Sequence, residues 1–310
     1  MAGSSKKVII AALIGNFLIA ATKFVAAFLT RSSAMFSEGI HSVVDTGNQV
    51  LLLYGMRRAR RPADEDFPFG HGKEIYFWGF VVAILIFGVG ATVSVYQGIH
   101  HLMHPRHIES FLVNYIVLAL AIAFEGAAWT VALIEFRKVK RDRGYFEAVH
   151  KGKDPTFFVV LFEDTAAISG LLVALAGIAL TQFTGNAVFD GAASVVIGII
   201  LAATAFWLAY ETKGLLIGES ANIHVVQGIR EIANANEGIT GINDILTMHM
   251  GPHYILVNVS VDFDDSMDAT AIENTVAELE AMIRERFPRV KRIFIEAEKL
   301  RRAITGTAES

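Results

Sequence analysis

A histidine and an aspartate lie four residues apart in an otherwise apolar stretch near the N-terminus, at His41 and Asp45. Four residues of α-helix turn by about 400° and rise by about 6 Å, so both side chains project from one face. This is a spacing typical of metal ligands. A second apolar stretch carries the adjacent acids Glu163 and Asp164. Ionisable groups inside a membrane cost roughly 2.5–3.5 kcal/mol each and usually mark an ion pathway, so the two stretches together predict ion transport.

The composition is that of a membrane protein. Of the 310 residues, 53% are hydrophobic and 19% charged, and the mean hydropathy is +0.46, which is too apolar for an ordinary soluble chain. The net charge of −4 and the absence of a long basic tract disfavour a nucleic-acid partner. The chain has no cysteine, which excludes disulfides, thiolate metal sites and cysteine nucleophiles.

Apolar stretches of about membrane-spanning length predict six transmembrane helices. They cover approximately residues 8–30, 33–56, 75–99, 111–136, 156–183 and 186–213. The segments after the second and the fourth stretch are rich in arginine and lysine. The positive-inside rule therefore predicts that both segments and both termini are cytoplasmic. We expect a multi-pass protein of a bacterial inner membrane.

The C-terminal third predicts a small soluble domain with the element order α-β-β-α-β. Helical spacing of apolar residues covers 222–236 and 268–287, and strand patterns cover 245–250, 254–263 and 292–297. Such an order fits a small sheet with both helices on one face. The predicted division is a transmembrane domain over 1–216, a cytoplasmic domain over 217–300 and a polar tail over 301–310.

Three segments together resemble the cation diffusion facilitator family. They read SAMFSEGIHS at 33–42, followed by Asp45, then PFGHGK at 68–73, and LLIGE at 215–219. The resemblance implies a homodimeric six-helix exporter of divalent metals, usually zinc, that is driven by counter-flow of protons. It also implies that the cytoplasmic domain is ferredoxin-like. On this reading the chain is a secondary transporter rather than an enzyme, and it carries no cofactor besides the transported ion.

The resemblance assigns His41, Asp45 and Asp164 as ligands of the transported ion. The family's usual fifth-helix pattern is His-x-x-x-Asp, and here Val160 stands at the histidine position. The sequence LFEDT at 161–165 resembles the branch that includes mitochondrial zinc-transporter relatives of animals. Zn²⁺ is the first expectation. Because loss of a nitrogen ligand makes the shell harder, Mn²⁺ or Fe²⁺ is the alternative.

Other polar residues are further candidates as ligands or as hydrogen-bond partners of ligands. Glu38 and Asn48 lie near the face of His41, and Glu163 precedes Asp164. In the cytoplasmic loop, Asp64 and His71 match part of a second family site. The positions at which some relatives bind zinc in the cytoplasmic domain correspond to Asn243, Ser260, Glu296 and Glu298. Since these are not histidines, we expect a weak or lost site there.

Several histidines stand outside these sets. The group before the fourth stretch consists of His100, His101, His104 and His107. It could collect metal at the exit side, but we expect a solvated turn, because imidazoles there lack the fixed geometry that a metal needs. We also expect His249 and His253 of the soluble domain at the surface.

Two other interpretations stay open for the polar groups within the spans. They could be interhelical hydrogen-bond partners with no metal, and we expect Lys23 to pair with one of the acids. The chain could also be a non-transporting regulatory or metal-sensing membrane subunit. An intramembrane hydrolase is disfavoured, since the sequence has no His-Glu-x-x-His pattern. If the ligands do hold a metal, they must be deprotonated to bind it, so exchange with protons is inherent in the ligand set.

Overall fold

A computed structural model describes residues 2–105, 108, 110–140 and 155–299 of the chain. The chain divides into two compact units, the first of Met1–Arg60 and Glu74–Lys213 and the second of Arg61–Lys73 and Gly214–Ser310. Some predictions fall outside the described residues. These are the polar tail 301–310, His107, and the basic residues Arg141, Arg143, Lys151 and Lys153.

The first unit is helical, and within the described residues it has six helical segments of 27 to 30 residues. The first two are α1 (Ala2–Thr30) and α2 (Ser33–Ala59). The third is continuous and consists of α3 (Glu74–Leu85), a π-helical turn (Ile86–Ala91) and α4 (Thr92–Met103). The last three are α5 (Phe111–Lys140), α6 (Pro155–Thr184) and α7 (Val188–Ile217).

Four of these segments are long and apolar enough to cross a membrane. They are Glu74–Met103, Phe111–Ile134, Val159–Thr184 and Val188–Ile217. The chain is therefore an integral multi-pass membrane protein. The described apolar part of α1, Asn16–Thr30, is shorter. The second segment, α2, is more polar, and its acids, histidine, asparagine and several serines are buried against other helices.

The start of α2 is fastened to α7. The Ser32 side chain caps α2 by accepting from the Met35 N–H, as small polar residues do at helix N-termini. Asp190 of α7 accepts from the Ser32 hydroxyl and from the Ser33 N–H, both at 2.6 Å. This carboxylate satisfies backbone donors that have no partner within the helix. The turn between α1 and α2 is thereby held against α7.

Glycines bring α4 and α7 into close contact. A Cβ added at Gly98 would lie 2.8 Å from the Gly191 carbonyl oxygen, and one added at Gly198 would lie 3.0 Å from the Ala91 carbonyl oxygen. Real Cβ atoms do not approach backbone so closely without displacement. Small residues allow this approach in membrane bundles, where van der Waals packing drives helix association.

The second unit has the predicted order of helices and strands. It contains α8 (Ile223–Asn234), β1 (Ile239–Gly251), β2 (Tyr254–Phe263), α9 (Ala269–Arg286) and β3 (Val290–Ala297). In the sheet, β2 is central, antiparallel to β1 and parallel to β3. The first strand begins at Ile239 rather than at the predicted residue 245. Register shifts after Ile239 and Ile242 break the alternation there, so no clear period of two marks the strand in the sequence.

The core of this domain lies between one face of the sheet and the two helices. Val257, Val259 and Val261 are fully buried on β2, together with Ile229 of α8 and Ile283 of α9. The alternation predicted for β2 is confirmed by this pattern.

The expected surface position of one histidine in this domain is wrong. His249 is 2% exposed. Because β1 continues to Gly251, His249 lies within the strand, opposite Ile255, and not in the turn. His253, in the turn itself, is exposed as expected.

Candidate metal centre

The predicted pair on α2 shares a face as its spacing indicates. His41 Nδ1 lies 3.3 Å from Asp45 Oδ1. The histidine is 1% and the aspartate 8% exposed. Both side chains therefore point into the bundle, where an ionisable group needs a partner.

The α6 residue that contacts this face is Glu163. Asn48 Nδ2, one further turn along α2, donates to Glu163 Oε1 at 2.6 Å. The Asp45 and Glu163 carboxyl groups are also neighbours that interact with each other. Two neighbouring buried carboxylates repel each other unless a proton or a cation lies between them. The structure thus brings His41, Asp45, Asn48 and Glu163 together.

Asp164 takes a different position on α6. Its side chain is partly exposed and makes no hydrogen bond with any residue that the structure describes. Adjacent residues of an α-helix differ by about 100°, so Glu163 and Asp164 cannot face α2 equally well at one rotation of α6. In this structure Glu163 is the residue that faces α2.

Buried polar atoms in this cluster lack hydrogen-bond partners among the described residues. They are both ring nitrogens of His41, Oδ1 of Asp45 and Oδ1 of Asn48. Leaving a buried polar atom unpaired costs about 1–3 kcal/mol. The two oxygens and one nitrogen of the neutral imidazole can each donate electrons to a metal ion. Within the described part of the chain, no three His, Asp or Glu side chains already surround one point. The cluster therefore fits a cation, but only after its side chains converge.

A buried lysine lies beside the cluster. Lys23 of α1 is fully buried, and its Nζ lies 2.7 Å from Ser42 Oγ, 3.2 Å from Glu38 Oε2 and 3.9 Å from Glu125 Oε1. The expected pairing of Lys23 with an acid is confirmed. Glu38, a candidate for the metal shell, is instead engaged by this lysine. Sequence reasoning missed Ser42, which lies next to His41 and completes the contacts of the lysine.

Comparison with known proteins shows the family. Residues 9–217 match the cation efflux transmembrane domain, and residues 224–300 match the cytoplasmic domain of cation efflux proteins. The chain belongs to the cation efflux family. The resemblance to cation diffusion facilitators is thereby confirmed.

Individual relatives of this cation efflux protein include mitochondrial and bacterial proteins. The chain is 37% identical over 268 residues to the mitochondrial proton-coupled zinc antiporter SLC30A9 of Xenopus laevis, covering 85% of this chain and 47% of the relative. It is 35% identical to the human SLC30A9 over 83% of this chain and 46% of the relative. Against the cation-efflux pump FieF of Klebsiella pneumoniae it is 24% identical over 89% of this chain and 90% of the relative. The chain thus spans about half the length of its SLC30A9 relatives.

The loop after α2 in this cation efflux protein brings two candidate residues together. His71 Nε2 and Asp64 Oδ2 are 2.8 Å apart, and the ring centroids of Phe67 and His71 are 4.5 Å apart. The hydrogen bond from His71, together with one from the Phe67 N–H, holds the pKa of Asp64 below its usual value. The two side chains bond to each other.

The corresponding positions in the cytoplasmic domain form a hydrogen-bonded network. Asn243 Nδ2 lies 3.3 Å from Ser260 Oγ, and the Ser260 hydroxyl donates to Glu298 Oε2 at 2.7 Å. Glu296 accepts from Asn258 at 3.2 Å. These polar groups bond across the sheet surface in a manner that needs no metal.

Proposed function

We propose that this cation efflux protein exchanges a divalent cation, Zn²⁺ first, for protons across a membrane. The observation that carries the proposal is the buried cluster between α2 and α6, whose imidazole and carboxylate atoms lack partners among the described residues. The names of the SLC30A9 relatives, which are proton-coupled zinc antiporters, support the choice of ion and of counter-ion.

The proposed ligands of the ion are His41, Asp45 and Asp164, with Asn48 and Glu163 as supporting groups. In this structure Asn48 holds Glu163 against α2. A rotation of α6 by about one residue, roughly 100°, would exchange Glu163 for Asp164 at the face of α2. Such an exchange between two side chains is one way in which alternating access could couple helix movement to binding and release.

Coupling to protons follows from the ligand chemistry. A metal binds neutral imidazole and ionised carboxylate, so loading of the ion releases protons and protonation releases the ion. The contact between the carboxyl groups of Asp45 and Glu163 supports this, because a proton can occupy the position that a cation occupies in the loaded state.

The architecture that we propose has six spans, with α1 and α2 added to the four apolar segments. The polar face of α2 is covered by other helices, so it can cross a membrane despite its composition. We further propose a transmembrane domain over 1–216, a ferredoxin-like cytoplasmic domain over 217–300, cytoplasmic termini and a homodimer. The mitochondrial names of the SLC30A9 relatives weigh against the expected bacterial inner membrane.

The test is Zn²⁺ flux into sealed proteoliposomes, with and without a pH gradient. We expect flux that follows the gradient and that falls at least tenfold in His41→Ala, Asp45→Asn and Asp164→Asn. The exposed His253→Ala of the soluble domain is the matched control and should keep normal flux. Unchanged flux in both His41→Ala and Asp164→Asn would rule out the proposed ligand set.

Comparison of Glu163→Gln with Asp164→Asn separates their roles. If Asp164 is a ligand and Glu163 only supports the site, the Asp164 variant loses ion binding, whereas the Glu163 variant retains binding and loses rate. The reverse result would assign the ligand role to Glu163, the residue that faces α2 here.

Two alternatives rest on Val160, which replaces the histidine of the family's fifth-helix pattern. A harder ligand shell favours Mn²⁺ or Fe²⁺ over Zn²⁺, which parallel flux measurements with the three ions would detect. An incomplete shell also fits a metal-sensing or regulatory subunit. Such a subunit would bind Zn²⁺ but move none in proteoliposomes.

A further inference from the structure

A pocket of about 320 Å³ opens at the end of the bundle where α1 passes into α2 and where α4 ends. Its wall includes three histidines, His100, His101 and His104, together with Arg31 and Gln97. The solvated turn predicted for these histidines is only partly correct. His100 and His101 belong to the last turn of α4, His104 directly follows it, and His101 is 5% exposed.

The spacing of two of these rings matches that of two ligands on one metal ion. His100 and His104 are four residues apart, the spacing by which two histidines on one helix face bind zinc. Their ring centroids are 5.0 Å apart. With a Zn–N distance of about 2 Å and a ring radius of about 1.1 Å, two imidazoles at a tetrahedral angle have centroids about 5 Å apart. The ring planes are inclined by 32°, so rotation about the side-chain torsions is needed to direct one nitrogen of each ring at a common ion.

The surrounding residues distinguish these two histidines from the third. The His100 ring stacks on Tyr96, one turn earlier, with centroids 6.2 Å apart, which restricts its rotation. His101 lies on the adjacent helix face, with Nε2 at 3.9 Å from Asp190 Oδ2. His101 therefore belongs to the contact between α4 and α7, while His100 and His104 remain on the open side.

The backbone donors next to the pocket are already occupied, so they do not form an anion site. The N-terminus of α2 would be the natural anion site, but Asp190 already accepts from the Ser33 and Ala34 N–H groups there. Arg31 lines the same pocket, and its positive charge weakens cation binding without preventing it. A site of this kind exchanges its ion readily.

We propose that His100 and His104 form a second, low-affinity site for a divalent transition-metal cation, with water completing the shell. The two imidazole ligands select borderline ions such as Zn²⁺ and Co²⁺ over Mg²⁺ and Ca²⁺. The site is separate from the cluster between α2 and α6. Its existence does not depend on whether the chain transports the ion.

The test is equilibrium binding of Co²⁺ and Zn²⁺ to the purified full-length chain in nanodiscs. Asp45→Asn is introduced first, so that the cluster between α2 and α6 contributes little binding. On this background we expect His100→Gln/His104→Gln to lose one weakly bound Zn²⁺ per chain and the visible absorption of imidazole-bound Co²⁺. The matched control is His224→Gln/His253→Gln, which removes two exposed histidines of the soluble domain and should retain both signals.

Equal stoichiometry and affinity in the two double variants would overturn the proposal. If the site that is lost in the His100/His104 variant bound Mg²⁺ as tightly as Zn²⁺, the proposal would also be overturned. Imidazole ligands do not displace water from hard ions such as Mg²⁺. Thermal unfolding of each variant shows that loss of binding is not loss of fold. Because no flux is measured, this result is independent of the transport assay.

Discussion

Lys23 is a buried cation whose charge is balanced by acids on two other helices. Glu38 of α2 and Glu125 of α5 lie within 4 Å of its Nζ, and the Ser42 hydroxyl is nearer still. A charge in a low-dielectric interior is tolerated when it is paired and hydrogen-bonded, and removal of one partner leaves the other uncompensated. This lysine thus joins three helices next to the cluster between α2 and α6.

We expect Lys23→Met to destabilise the protein by about 3–5 kcal/mol, because it leaves the Glu38 carboxylate buried without its partner. The measurement is thermal or denaturant unfolding in detergent. Lys23→Met combined with Glu38→Gln removes both charges and should recover most of the loss. If the single and the double variant are equally unstable, the pair contributes packing rather than charge balance.

The contact between Asp64 and His71 predicts a pH dependence outside the membrane. Its hydrogen bonds hold the pKa of Asp64 below the ordinary value of about 3.9. A carboxyl group with a lowered folded-state pKa contributes stability above its unfolded pKa, and that contribution is lost as the pH falls through the folded value. The loop contact should therefore persist at neutral pH and break in acid below about pH 4.

An NMR titration of the Asp64 carboxyl carbon measures this directly. His71→Ala should raise the titration midpoint towards the ordinary value, whereas His253→Ala should not move it. A midpoint that is the same in wild type and His71→Ala would show that the His71 contact does not stabilise the charged form.

Contacts between residues of one helix could be predicted from the sequence, whereas contacts between residues of different helices could not. The shared face of His41 and Asp45 follows from their spacing within one helix. The choice between Glu163 and Asp164 depends on how α6 is rotated against α2, which is decided by packing between segments more than a hundred residues apart. The Lys23 contacts with Ser42 and Glu125 are of the same long-range kind, so only the general pairing with an acid could be predicted.

Among the elements, the contact between α4 and α7 depends on glycine. An added Cβ at Gly98 would lie 2.6 Å from Val195 Cγ2 and 2.8 Å from a backbone oxygen. The Val195 backbone nitrogen would also lie at 2.7 Å, and backbone atoms cannot yield without separating the helices. This contact also fixes the end of α4 on which the histidine pocket is built.

We expect Gly98→Ala to cost roughly 1–3 kcal/mol through overpacking, measured as a lower unfolding midpoint in detergent. Gly126 of α5 is a helical glycine with nothing within 4 Å of an added Cβ. Gly126→Ala is therefore the control and should be neutral or slightly stabilising, since alanine favours a helix. Equal effects of the two variants would mean that the α4–α7 contact relaxes at little cost.

Element boundaries show which local signals the sequence carries. The ends of β2 and α9 followed from alternation, helical spacing and the proline after α9. The π-helical turn at Ile86–Ala91 and the early start of β1 could not be predicted from the sequence. An extra residue in a helical turn or in a β-bulge leaves the composition unchanged and only shifts the periodic spacing of the apolar residues.

For the whole molecule, the proposed topology predicts which residues share a side of the membrane. Asp66 in the loop after α2 and Glu285 of α9 should face the cytoplasm, and Thr184 before α7 should face the other side. All three are exposed, and the chain contains no cysteine, so single-cysteine variants carry a unique label.

We expect an impermeant thiol reagent added to right-side-out vesicles to modify Thr184→Cys and to leave Asp66→Cys and Glu285→Cys unmodified until the membrane is opened. The opposite pattern would invert the proposed orientation. Modification of Asp66→Cys and Glu285→Cys from different sides would be incompatible with six spans.

The lysine beside the cluster between α2 and α6 bears on how tightly the proposed exchange is coupled. Lys23 offers one positive charge. Four carboxyl groups lie in or beside the cluster, those of Glu38 and Glu125 next to Lys23 and those of Asp45 and Glu163 between α2 and α6. With neither ion nor protons present, that excess negative charge would have to move through the low-dielectric interior of the bilayer. If the chain works as proposed, return of the empty carrier would therefore be electrostatically unfavourable, which would suppress slippage without cargo.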